Sequence, residues 1–384
     1  MKVNADWLRN HESQKLLAEF SNSGFEAYFV GGCVRNALLN APVADLDVST
    51  NALPQQTIAL AEHAGFQAIP TGIEHGTITV IVENTVFEVT SFRKDIETRG
   101  RRAVVAFSTD IRDDALRRDF TMNALYASAD GKVVDPLNGF ADLKARRVRF
   151  IEDPEQRIKE DYLRILRYFR FFAWYADQRA GLDAEALAAI SNNLDGLDIL
   201  SKERIGAEMR KLLAAPDPVQ AVAGMEQSGV LSAILPGATA RFLGPLVHLE
   251  TAASLPPDWM RRLIVLGGQQ EKEALRLSKA EVKRLTHFQT ASDAHMKTAE
   301  VAYRFDESIA WDIELAKSAA LGTDVSLDAA QAIRTGTTAK FPITASDLQP
   351  DFIGIELGKE LRRLETDWVR SGFSKSKSEL LKLG

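Results

Sequence analysis

Up to about residue 140 the apolar positions fall in short runs closed by Gly, Pro, Asn or Asp, and beyond it they recur at helical spacing. The runs in FEAYFVGG, DLDVST, GTITVIVEN, TVFEVTSF and GKVVDP are β-branched or aromatic and predict strands. ENT, between TVIV and VFEVTSF, predicts a hairpin turn. From DPEQRIKEDYLRILRYFRFFAWYA onward the pattern is helical, broken by loops at SNNLDGLD, AAPDP and LPGATA. TGTTAKFPITASDL reads as a loop before a last helix. Strands first and helices afterwards describe an α+β head on an all-α body.

A length of 384 residues implies two to four structural units. With 45% hydrophobic and 26% charged residues the chain is globular and not disordered. It has no apolar run long enough for a bilayer, and MKVNADWLRNHESQKLLAEF lacks the unbroken apolar segment of an export signal, so a cytoplasmic location is expected. The single cysteine, Cys33, excludes an internal disulfide framework and fits a reducing compartment. A net charge of -6 argues against a chain coated in nucleic acid, yet RGRR (99–102), LRRDF, KARRVRF, LRILRYFR and the C-terminus are basic clusters. Local charge governs phosphate binding, although each cluster taken singly reads equally as a solvated helix face.

The chemistry starts at GGCVRNALLNAPVADLDVST, residues 31–50. Asp45 and Asp47 alternate with Leu46 and Val48, so the two carboxylates share one strand face and repel each other. A divalent cation such as Mg²⁺ removes that penalty and brings substrate phosphate with it; an isolated pair of this kind is otherwise a solvated edge strand. The preceding Gly31, Gly32 and Arg35 shift the balance, because a glycine pair before a helix admits phosphate to the backbone and Arg35 supplies charge. Glu88, mid-strand in VFEVTSF, is the best third carboxylate, with a paired strand acid as the equal alternative. Asp119 competes with it and also suits a helix N-cap.

In KEDYLRILRYFRF, Asp161 and Arg164 stand three apart on an expected helix and can be neighbours. A carboxylate accepts from the amino group of C or A while the guanidinium beside it donates to the ring nitrogen, a pair that rejects U and G; a surface ion pair is the plainer account. Arg167 is expected near base or triphosphate, and Arg170, rotated by about half a turn, behind the site or facing RNA. Arg117 and Arg118 precede an expected helix start at Asp119 to Thr121 that suits triphosphate charge, and spacing does not say which of the two faces the site. RKDIETRGRRAVVAF is long and charged, as a mobile element over a site would be. Six scattered histidines form no HExxH and no His-Asp pair, which excludes a histidine-ligated hydrolase centre; His75 reads as a turn residue and Cys33 as a small buried one.

Taken in order, these motifs resemble the class II tRNA nucleotidyltransferases, the CCA-adding enzymes, whose fold is shared by bacterial poly(A) polymerases. GGCVRNALL with DLDVST is similar to the family's first motif, TGIEHGTITV and FEVTSFR to its next strands, and RGRRAVVAF to its flexible loop. DDALRRDFTMNALY and EDYLRILRYFRF match its later motifs almost letter for letter, and LSKERIGAEMRKLL and GVLSAILP resemble its body. The resemblance implies Mg²⁺ on Asp45 and Asp47, phosphate and sugar contacts from Gly32 and Arg35, Arg117 at the nucleotide, and base selection by Asp161 and Arg164 supported by Arg167 and Arg170. Implied too are a nucleotidyltransferase head with a mixed sheet at 1–140, a helical neck at 141–200, a body at 201–310 and a tRNA-binding tail at 311–384. The reaction would be untemplated addition of C, C and A to the tRNA 3′ end from CTP and ATP, by two-metal transfer releasing pyrophosphate.

Two departures stand out: Asn36 where the family's motif reads VRD, and ASDL (345–348) where a tail motif reads GKDL. Poly(A) polymerases carry a basic GRRF-type stretch where this chain has PTGIEHG, which favours tRNA repair. The intact RGRRAVVAF leans against an enzyme adding only CC. An idle RNA-binding relative would be expected to have lost one of Asp45, Asp47, Asp161 or Arg164, and all four are present.

Overall fold

The computed structural model describes residues 1–99 and 102–382, with side chains described outside 95–105. The chain divides into two compact units, residues 1–236 and 237–384. The first holds a seven-stranded sheet made of β1 (Ala27–Val30), β2 (Leu46–Thr50), β3 (Gln67–Gly72), β4 (Thr77–Val82), β5 (Thr85–Ser91), β8 (Tyr126–Ala127) and β9 (Val133–Val134). Their order is β3-β4-β5-β2-β1-β8-β9, and only β2 and β5 run parallel, so the sheet is mixed as expected. Alternation in TITVIV buries Ile78, Val80 and Val82 on one face, where Phe29, Val48 and Phe87 complete the core. The expected turn between β4 and β5 is Glu83–Asn84, with Glu83 in the left-handed region at φ 54°.

β3 escaped the sequence pattern because Pro70 and mostly exposed residues suit a sheet edge, which is where it lies. The charged stretch before residue 107 forms a separate hairpin of β6 (Arg93–Arg99) and β7 (Arg102–Phe107). Gly100 and Arg101 of the RGRR stretch, expected to belong to a mobile element, lie outside the described residues.

No α-helix starts at Asp119 to Thr121, where the chain makes only a 3-10 turn, Thr121–Asn123. Asp110 instead caps Ile111–Leu116, and Arg117 closes that helix. Asp153 caps Pro154–Glu160, after which Asp161 adopts an extended backbone (φ -150°) and breaks the chain before Leu163–Tyr175 begins. That second helix buries Ile165, Leu166, Tyr168, Phe169 and Phe172, and Phe120, Phe150 and Phe171 cluster around Tyr168 or one another. It packs on Lys202–Leu213 and Val219–Gln227.

The second unit is helical. Its interior holds a charged network in which Arg261 bridges Glu250 and Asp312 (each 3.0 Å), Arg262 meets Glu250 (2.9 Å) and Arg284 meets Asp312 (2.8 Å). TGTT, expected in a loop, ends the helix Ala329–Thr338. The ASDL stretch contains the 3-10 turn Ala345–Asp347, where Asp347 reaches back to Thr344 and pairs with Lys377. The long helix Gly354–Arg370 is followed by a short one, Lys377–Leu381.

Candidate functional site

A cleft of about 530 Å³ opens in the first unit beside the end of β2. Gly31, Gly32, Arg35, Asp45, Asp47, Arg117, Asp161, Arg164, Arg167 and Arg170 all line it, so ten of the eleven site residues drawn from sequence converge. Glu88 does not line it. The parallel register of β2 and β5 nevertheless sets Glu88 directly beside Asp47. Burial pushes the Asp47 carboxyl above its ordinary range; Arg118 pulls it back, while Glu88 and Asp45 add like charge that raises it further. Such a carboxylate fits a cation. Among the described residues no group of three or more side chains that could ligate a metal is brought together.

Gly31 is needed where it stands. Its φ of 70° belongs to the left-handed region, and a β-carbon there would meet the Arg118 guanidinium at 3.3 Å. Arg35 is buried and has neutral partners: it donates to Asn36 Oδ1 at 2.9 and 3.1 Å, to Asn123 Oδ1, and to Tyr175 Oη at 2.8 Å. The Tyr175 ring lies 4.1 Å from its guanidinium carbon. Asn36 therefore still holds Arg35, and among the described residues no carboxylate pairs with that guanidinium.

Arg117 and Arg118 share the fully buried Asp114, at 2.7 and 3.0 Å, which also accepts from Ser49 and Tyr126. Burial acts to raise the Asp114 carboxyl, but the two guanidiniums outweigh it and hold it well below the usual carboxylate range. Asp114→Ala, which strips both arginines of their counter-charge, is expected to cost about 3 kcal/mol in urea unfolding at pH 7. A depressed carboxyl stabilises fully above the ordinary aspartate value of about 3.9 and loses its contribution as pH falls through the folded one. The gap between variant and wild type should accordingly narrow below pH ~4; an equal gap at pH 7 and pH 3 would contradict the assignment.

The expected neighbours Asp161 and Arg164 do not pair among the described residues. The break at Asp161 turns its carboxylate away to Arg204 (2.7 Å), with its other oxygen accepting from the Leu163 amide at 3.1 Å. Arg164 is drawn instead to Glu160 (2.7 Å) and to the carbonyls of Arg157 and Arg117 (2.8 Å each). Asp119, the competitor for third carboxylate, is clamped by Arg167 and also accepts from Asn123 and the Phe120 amide. Burial would raise it, and Arg167 overrides that and holds it low. Arg170, expected behind the site or facing RNA, lines the cleft, where its Nε donates to Glu208 at 2.5 Å. Arg204, Asn123 and Phe171 line the cleft without having been picked out, and Arg118 joins Arg117 there. Arg204 lies 43 residues from its partner in a helix whose charges read as a solvated face. Cys33 is buried as expected, and burial pushes its thiol up to about 12.

Seven arginines against four aspartates give the cleft a surplus of positive charge suited to a polyphosphate. Residues 27–149 match the poly(A) polymerase head domain, and 181–242 match a probable RNA-binding region of the same polymerases. The mitochondrial CCA tRNA nucleotidyltransferase 1 of Mus musculus is 33% identical, covering 96% of this chain and 89% of its own. The CCA-adding enzyme of Streptococcus gordonii is 32% identical, with 92% of each covered. In structure, the CCA-adding enzyme of Bacillus stearothermophilus in complex with CTP has a TM-score of 0.70 at 25% identity, over 94% of this chain and 92% of that one. The Thermotoga maritima CCA-adding enzyme complexed with tRNA shares the fold, with a TM-score of 0.71 at 16% identity over 100% and 97%.

Proposed function

The chain belongs to the family of CCA-adding tRNA nucleotidyltransferases, and from that premise we propose that it adds C, C and A to the 3′ end of tRNA from CTP and ATP. The observation that carries this reading is the convergence of Asp45 and Asp47 with seven arginines in one cleft. Asp45 and Asp47 would hold the divalent cation that enzymes of this family use, Mg²⁺ in our reading, with Glu88 supporting Asp47. What such a cation supplies when bound is a lowered pKa for the attacking 3′ hydroxyl and charge relief on the departing pyrophosphate.

The chain's own residues do the rest. Arg35, unpaired with any carboxylate among the described residues, offers its full charge to the triphosphate, and Arg117 and Arg118 add theirs at the β2 end of the cleft. The close backbone at Gly31 and Gly32 leaves room for phosphate or ribose. Asp161 presents an acceptor for the exocyclic amino group of C or A, with Arg204 or Arg164 donating to the ring nitrogen. Arg167 and Arg170 support that edge. Cys33, the one thiol, is buried with its pKa raised and offers no nucleophile, in keeping with direct in-line displacement. In this reading residues 1–140 are the head, 141–200 the neck with its base-selecting helix, 201–310 the body and 311–384 the tail that holds tRNA. The compartment we assign is the cytoplasm.

The test is incorporation of each labelled NTP, with Mg²⁺, into tRNAs ending before CCA, after the first C and after CC, resolved at single-nucleotide length. Stepwise C, C, A addition that then stops is expected. A long A tail on varied RNAs would identify a poly(A) polymerase, addition at one stage only a partial enzyme, and no incorporation by folded protein an idle RNA-binding relative.

A further inference from the structure

The helices Leu163–Tyr175 and Lys202–Leu213 meet along a seam whose cross-links follow one order. Asp161, just before the first helix, pairs with Arg204 at 2.7 Å, and Arg170 pairs with Glu208 at 2.5 Å. One turn further on, the Trp174 indole N–H donates to the Lys211 carbonyl at 2.7 Å. The first two rungs bring Asp161, Arg204 and Arg170 to the cleft, and the third lies beyond it. Trp174 follows Arg170 by four residues, hence on the same helix face and about 6 Å further along the axis. That step is comparable with the spacing of successive nucleotides in a stretched single strand.

Trp174 is 42% exposed although its N–H is already satisfied, so the open part of the side chain is apolar ring. Lys211, beside it, is exposed, and its ammonium meets no carboxylate among the described residues. An open aromatic face next to an uncompensated cation, one helical turn beyond a residue of a cleft suited to polyphosphate, is the combination that holds single-stranded RNA: a base stacks on the ring and the backbone phosphate meets the charge. We propose that Trp174 is a stacking platform for a nucleobase of the RNA 3′ end, behind the nucleotide being extended, and so a positioning residue for the primer. The proposal rests on the reading of the cleft as the site of nucleotide addition.

The test uses the full chain as wild type, Trp174→Ala and Trp174→Phe, with ATP and a tRNA ending in CC. Trp174→Ala is expected to raise KM for tRNA about tenfold, with KM for ATP and kcat at saturating tRNA changed by less than about twofold. Trp174→Phe keeps an aromatic face and loses the N–H, so it should stay within about threefold of wild type. An unchanged tRNA KM in Trp174→Ala overturns the proposal. So does equal impairment in both variants, which would assign the effect to the lost hydrogen bond. A wild type that incorporates nothing would count against the reading of the cleft; anisotropy of a fluorescent tRNA then reads the platform, with the same tenfold difference expected and equal affinities overturning it.

Discussion

Asp47→Ala should lower single-turnover incorporation of CTP about a hundred- to thousandfold while leaving tRNA affinity nearly unchanged. The side chain stands at the half-buried start of β2, beside Glu88 in the parallel register, in a place where burial and the like charge of Glu88 and Asp45 disfavour its ionised form. A carboxylate kept there at such a cost contributes nothing to the core, whose nearest member on the strand is the fully buried Val48. Its removal should therefore spare the urea midpoint or even raise it slightly. Rates are best compared at several Mg²⁺ concentrations, because a lost ligand shifts the metal dependence to higher concentration whereas a merely loosened strand does not. Incorporation within a few-fold of wild type at all metal concentrations would remove Asp47 from the mechanism.

Asp161→Ala should lower the preference for CTP over UTP by about one to two orders of magnitude, the worth of one hydrogen bond to a charged group in a desolvated site. Arg204→Ala should act in the same direction, since Arg204 is the guanidinium that holds the Asp161 carboxylate in the structure. Arg164→Ala is a poorer probe. Arg164 is 9% exposed and ties the helix to two backbone carbonyls and Glu160, so its loss disturbs the fold along with any base contact. Competition between labelled CTP and UTP on a tRNA lacking its 3′ end measures the ratio directly. A ratio unchanged in Asp161→Ala would leave base selection to other residues.

The alternation of apolar residues made the strands around the site legible, and with them the face shared by Asp45 and Asp47. The edge strand β3 and the charged hairpin β6–β7 were not legible, because in sequence neither alternates apolar with polar residues. Spacing also led to one specific error. It presumed an unbroken helix through Asp161, whereas the extended backbone there swings the carboxylate from Arg164 to Arg204. Periodicity reports neighbours within a helix and is silent about partners 43 or 48 residues away, as in Asp161–Arg204 and Asp119–Arg167. Chemistry of the residue types brought the site together on paper; only the tertiary pairing showed which carboxylates are already spoken for.

The links between the sheet region and the helix Leu163–Tyr175 carry a consequence for descent. Arg167 clamps Asp119, Arg164 caps the Arg117 carbonyl, and Tyr175 holds Arg35, so the groups proposed to face phosphate and those proposed to face the base lean on one another. All three links cross the expected domain boundary at residue 140. Recombination between relatives at that point would pair one lineage's Asp119, Arg117 and Arg35 with another's helix, and matching would be inherited only if both sides travelled together. Variation in nucleotide preference should accordingly arise from point changes within the cleft more readily than from exchange of whole segments.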